Sequence, residues 1–115
     1  MVLLPASIGK SVSALEDLMA LQIRADRLPE PQREAVLIPG RKFRVDFFWP
    51  TEKVCLEVNG GVWMKGGAHS LPSNIERDYE KLNLLQLAGY VVLSVSGKAV
   101  KSGQALQWLK MALSK

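Results

Sequence analysis

Apolar and polar residues alternate from Phe43 to Trp49 and again from Val54 to Asn59, with Pro50, Thr51, Glu52 and Lys53 between the two runs. A period of two on either side of turn chemistry predicts a β-hairpin. Upstream, Ser13-Ala-Leu-Glu16 has the form of a capping box. It opens a predicted helix to about residue 24, with Leu15, Leu18, Met19 and Ile23 as apolar positions. Leu28-Pro-Glu-Pro-Gln32 breaks that helix, a short strand is expected over residues 33–38, and Pro39-Gly40 reads as a turn. Beyond the hairpin, residues 60–73 form a Gly-rich loop, GGVWMKGGAHSLPS. A second helix is expected over residues 74–88, with Gly89 in the C′ position. Residues 91–95 read as a buried strand, because their apolar character is almost continuous. Gly97 separates this strand from a last helix over about residues 101–113, with Leu106, Leu109 and Leu113 on one face. The order α-β-β-β-α-β-α predicts an α/β fold with a mixed sheet, in a single domain covering residues 1–115.

If the hairpin is centred between Thr51 and Glu52, Trp49 faces Val54, Phe47 faces Leu56, and Asp46 faces Glu57. Directly opposed residues on one sheet face have Cβ atoms about 4.5–5.5 Å apart, and like charges placed there repel. Such a pair calls for a cation, and a hard divalent metal is the usual one, so Asp46 and Glu57 form a candidate Mg²⁺ site. The plainer reading is two solvent-facing carboxylates held by Arg44 or Lys53. In the second helix, Asn74, Asp78, Lys81 and Leu85 share a stripe that is polar in its first half and apolar in its second. Either that half of the helix looks into a polar pocket, where Lys81 could position a nucleophile, or Asp78 and Lys81 form an i,i+3 ion pair. Glu16 is either the partner of Ser13 in the capping box or an extra carboxylate at the metal edge. His69, alone of its kind, is an exposed loop residue, a proton carrier or a phosphate contact. Trp63, Trp49 and Phe48 read as core or loop anchors before base-stacking platforms, and Trp63, among glycines, is the best stacking candidate of the three.

Charge adds a direction. Fifteen Lys and Arg against eleven Asp and Glu give a net charge of +4 and a pI near 9.4, a mild bias toward a polyanionic partner. Arg41, Lys42, Arg44, Lys65 and Arg77 gather around the acidic pair in the sequence. One Cys and one His rule out an internal disulfide and a structural zinc site built from those ligands alone. No apolar run reaches the roughly 18 residues of a membrane span, and no basic segment precedes the short apolar stretch at the N-terminus. A cytoplasmic location is expected.

The string RKFRVDFFWPTEKVCLEVNGGVW, followed by GGAH, ERDYEKLN and GYVVLSVS, resembles the PD-(D/E)xK nuclease superfamily. It is most similar to the small phage and bacterial endonucleases related to the very-short-patch-repair type. The resemblance covers nearly the whole chain and implies a restriction-endonuclease-like αβββαβ core with a C-terminal helix. It also implies a Mg²⁺-dependent DNA endonuclease, with Mn²⁺ as a substitute. Asp46 and Glu57 fall on the family's metal-binding acids, joined by the Val58 backbone carbonyl, and Glu16 falls on the acid of the first helix. Arg44, Lys65, His69 and Arg77 become the expected DNA contacts. The family motif places a lysine two residues after the second acid, where this chain has Asn59; Lys81 is the residue that could fill that space. Two other readings follow from the same residues: a catalytically silent DNA-binding or assembly module of the same fold, and an RNA nuclease. The small size of the chain makes a homodimer a candidate assembly for cutting two strands.

Overall fold

The computed structural model describes residues 12–59 and 72–115. The Gly-rich loop with Trp63, Lys65 and His69 therefore lies outside the described residues. Helix α1 runs Val12–Ala25. It starts ahead of Ser13, which stands in the first turn and not at the cap. Leu15, Met19 and Ile23, at i, i+4 and i+8, are buried as one stripe. The helix closes with Leu28 N–H donating to the Ile23 carbonyl at 3.1 Å, over a left-handed Arg27 (φ 58°).

Strands β1 (Gln32–Val36), β2 (Arg44–Trp49), β3 (Val54–Val58) and β4 (Val91–Val95) form one sheet in the order β1-β2-β3-β4. β1 and β3 flank β2 antiparallel, and β4 lies parallel to β3. The β2–β3 register pairs Trp49 with Val54 and Phe47 with Leu56, as the turn at residues 50–53 dictates. Helix α2 (Pro72–Leu87) makes the crossover from β3 to β4. It opens two residues earlier than expected, at a proline, which loses no hydrogen bond in a first turn. It stops ahead of Gly89, with Tyr90 N–H on the Leu85 carbonyl at 3.1 Å.

Two expectations are corrected. β4 is not a buried strand: as an edge of the sheet it buries only Val95, and Val91 is 40% exposed. The last helix is two helices, α3 (Gly97–Ser102) and α4 (Gln104–Leu113). Gly103, in the left-handed region at φ 88°, separates them, and the Ser96 side chain caps α3 by accepting from Ala99 N–H. The buried face of α4 is Ala105, Leu109 and Ala112, with Leu106 and Leu113 at its margins.

The sheet divides the core. On one face α1, α3 and α4 cover Phe47, Trp49, Val54, Leu56, Val58 and Val95. On the other, α2 contributes Leu85 above Val45, Phe48 and Cys55. Trp49 spans its layer and donates its indole N–H to the Pro29 carbonyl at 2.7 Å. Trp49 and Phe48 are thus core residues, as expected. Among the described residues no helix is long and apolar enough to cross a membrane.

Candidate functional site

Alternation breaks at one place in the sheet. Strict alternation would put Val45 beside Phe47, yet Val45 packs under α2 and Phe47 under α1. The same change occurs across the ladder. Ala35, opposite Val45, joins the α2 side, whereas Arg33, opposite Phe47, stacks on the Phe47 ring at 4.4 Å. Between them the Glu34–Asp46 pair drops out of the ladder, with Glu34 left-handed at φ 54°. Both strands turn over at this point, and the freed carboxylates swing toward α1. Oxygens of Glu16, Glu34 and Asp46 all lie within 4.8 Å of one another.

Asp46 is fixed by the neighbouring strand: its Oδ2 accepts from Val58 N–H at 2.8 Å. Glu16 reaches in from α1 and lies 3.6 Å from Arg33 Nη2. Burial, then the charges of Asp46 and Glu34, push the Glu16 carboxyl up to about 7. Asp46 is raised as well, mainly by burial, against the opposing effect of the Val58 hydrogen bond. Of the two readings of Glu16, the carboxylate beside Asp46 is the one its neighbours match.

Glu57 sits differently from the expected cross-strand contact. The paired register ends at Phe47 and Leu56, and Glu57 projects to the α2 side. There Lys81 Nζ donates to its Oε2 at 2.7 Å and also to the Arg44 carbonyl. Both side chains are largely buried, 16% and 19% exposed. Burial raises Glu57, Lys81 opposes that, and the charges of Asp46 and Asp78 add to it. Lys81 therefore goes to Glu57 and not to Asp78, and the polar first half of α2 does face a pocket. Asn59 donates its side-chain amide to Ser94 on β4.

Two clefts flank Lys81. One, of about 220 Å³, is lined by Lys42, Phe43, Arg44, Arg77, Asp78 and Lys81. It joins two of the expected DNA contacts, Arg44 and Arg77, to a lysine not singled out as one. Arg44 also lies 3.7 Å from Glu34. The other cleft lies between α2 and β4. Arg41 stays out of both: it stacks on Phe43 and makes a two-pronged contact with Glu80 on α2, at 2.5 and 2.8 Å.

Glu34 is the residue that sequence reasoning missed. Its signal is the β1–β2 register, which folds about Gly40 and sets residue 34 opposite residue 46. A donor set of carboxylate oxygens, drawn together although each disfavours its neighbours' ionisation, suits a hard divalent cation. The chain matches no protein-family model, no curated protein and no solved structure. The fold and the site alone therefore define it: an α/β protein with a four-strand mixed sheet, carrying clustered carboxylates at a break in the sheet and, on α2, a partly buried lysine bound to Glu57.

Proposed function

We propose that this chain is a divalent-metal-dependent nuclease of the PD-(D/E)xK type that hydrolyses phosphodiester bonds in DNA. The observation that carries the reading is Lys81. It reaches from α2 to the Glu57 carboxylate at 2.7 Å, so the chain has a lysine beside its second acid although the motif position holds Asn59. Asp46, Glu16 and Glu34, whose oxygens lie within 4.8 Å of one another, would hold Mg²⁺ or Mn²⁺ with the Val58 carbonyl as a main-chain donor, whereas Glu57, turned to the α2 side, would hold Lys81. When bound, the metal supplies Lewis-acid activation of a phosphate oxygen and of water. The chain's own groups do the rest. The Val58 N–H holds Asp46 in one rotamer. Lys81 opposes the effect of burial on Glu57 and would present a positive charge where charge develops on phosphorus. Lys42, Arg44 and Arg77 draw the phosphate backbone to the site.

Plasmid nicking with Mg²⁺, Mn²⁺ or EDTA, run beside D46A and E57A, tests the proposal. Metal-dependent cutting that falls at least about a hundred-fold in both variants is expected; undiminished cutting in either one overturns it. A second reading, a silent DNA-binding module, is favoured by the tie between Asn59 and Ser94, which commits the motif position to structure. It predicts a folded protein that binds DNA and cuts none. Matched DNA and RNA duplexes in competition separate a DNA nuclease from an RNA nuclease.

A further inference from the structure

The cleft between α2 and β4 has about 140 Å³ and a mixed wall. Tyr79, Leu82 and Val92 give it apolar surface, Asn59 and Ser94 give it hydrogen-bonding groups, and Lys81 stands at its border with the basic cleft. Tyr79, on the wall of the cleft, is 57% exposed, so its ring is open to a partner. Ring, aliphatic wall and adjacent amide and hydroxyl are the groups that stack on and address a nucleobase. A base inside a continuous duplex cannot enter such a recess without leaving its stack.

We infer that this cleft takes one unpaired base of a DNA strand, whose adjoining phosphate lies in the basic cleft of Lys42, Arg44 and Arg77. The inference rests on the nuclease reading and adds a substrate class to it: DNA with a single-stranded segment next to the bond that is cut. Lys81 belongs to both clefts, so the phosphate linking the unpaired base to the rest of the strand passes the Glu57–Lys81 pair. Two carboxylates also line the base cleft: Glu57, which is held by Lys81, and Asp78, which borders both clefts and is outnumbered by the cations of the basic cleft.

The experiment compares fluorescein-labelled DNA as a blunt duplex and as the same duplex with a single-stranded overhang. Anisotropy titrations in EDTA would use the wild-type chain, Y79A and Y79F. Wild type should prefer the overhang, and Y79A should lose about ten-fold or more on it, with a several-fold smaller loss on the blunt duplex. Y79F, which keeps the ring, should stay within about two-fold of wild type. Equal losses on both DNAs, or none in Y79A, overturn the base site. Nicking by the same preparations separates the two levels. A wild type that nicks plasmid in a metal-dependent way but shows no Tyr79 effect loses only the base site. A wild type that neither nicks nor binds DNA overturns the nuclease reading and the base site with it.

Discussion

Lys81 and Glu57 illustrate how a side-chain pair can be costly and useful together. Each is mostly withdrawn from water, and each is the other's charge partner. K81M would leave Glu57 without its cation, and we expect a loss of about 1–3 kcal/mol at neutral pH, measured by urea unfolding. E57Q in the same background should restore part of that loss, because the stranded charge is gone. Additive losses in the double variant would contradict the coupling. Glu16 makes a prediction of opposite character. Its carboxyl titrates near 7 in the folded chain, against 4.5 for an unperturbed glutamate, so the folded state binds the extra proton between those values. Stability from this group is full below about pH 4.5 and is lost as pH rises through 7. Asp46 and Glu57, also raised, act in the same direction. Metal-free protein should therefore lose stability from pH 4.5 to 7, by an amount of order 1 kcal/mol from Glu16 after solvent screening, and E16Q should flatten the profile. Unfolding curves in EDTA across that range check the sign; stability rising with pH would reverse the argument.

The helices α3 and α4 turn on two glycines with different reasons to be glycine. At Gly97 a Cβ would stand 2.9 Å from Leu15 Cδ1, where α3 crosses α1, and Leu15 is itself buried. At Gly103 there is open space, but φ is 88°. G97A should cost about 1–3 kcal/mol by overpacking, and G103A about 1–2 kcal/mol by backbone strain alone. The two differ in remedy: shortening Leu15 to alanine should relieve part of the G97A cost and none of the G103A cost, a comparison thermal unfolding can make. These elements also mark where the sequence was legible. The β2–β3 register could be read because a four-residue turn fixes it locally. The stripe of Leu15, Met19 and Ile23 could be read because it repeats within one helix. What escaped depended on distant neighbours. Val91 looks like core until β4 proves to be an edge, and Gly103 looks tolerable inside a helix until its φ is known. Glu34 shows no periodic signal at all, because its place beside Asp46 comes from a backbone inversion shared by two strands. The hairpin pattern sets Asp46 opposite Glu57, but their side chains part toward α1 and α2, which the hairpin alone cannot specify.

Across the molecule, charge is distributed so that the acidic cluster and the basic cleft stand on either side of the β2 N-terminus. Glu16, Glu34 and Asp46 gather toward α1, whereas Lys42, Arg44 and Arg77 line the cleft toward α2. On the nuclease reading a net charge of +4 would draw DNA from a distance, and among the described residues the cations of that cleft would be the ones to hold phosphate. Each such contact releases condensed counterions, and the logarithm of the binding constant falls with the logarithm of salt by about 0.9 per duplex phosphate neutralised. Lys42, Arg44 and Arg77, the cleft cations other than the Glu57-bound Lys81, therefore predict a slope of about −2 to −3 for duplex DNA in EDTA. K42Q should make that slope shallower by about one, with weaker binding at low salt and nearly equal binding at high salt. K98Q is the matched control, since Lys98 is exposed on α3 and does not line the cleft. It removes the same formal charge, and it should leave the slope near the wild-type value. If K42Q and K98Q change the slope alike, the attraction belongs to the whole charge of the chain, and the cleft is not where the phosphates sit.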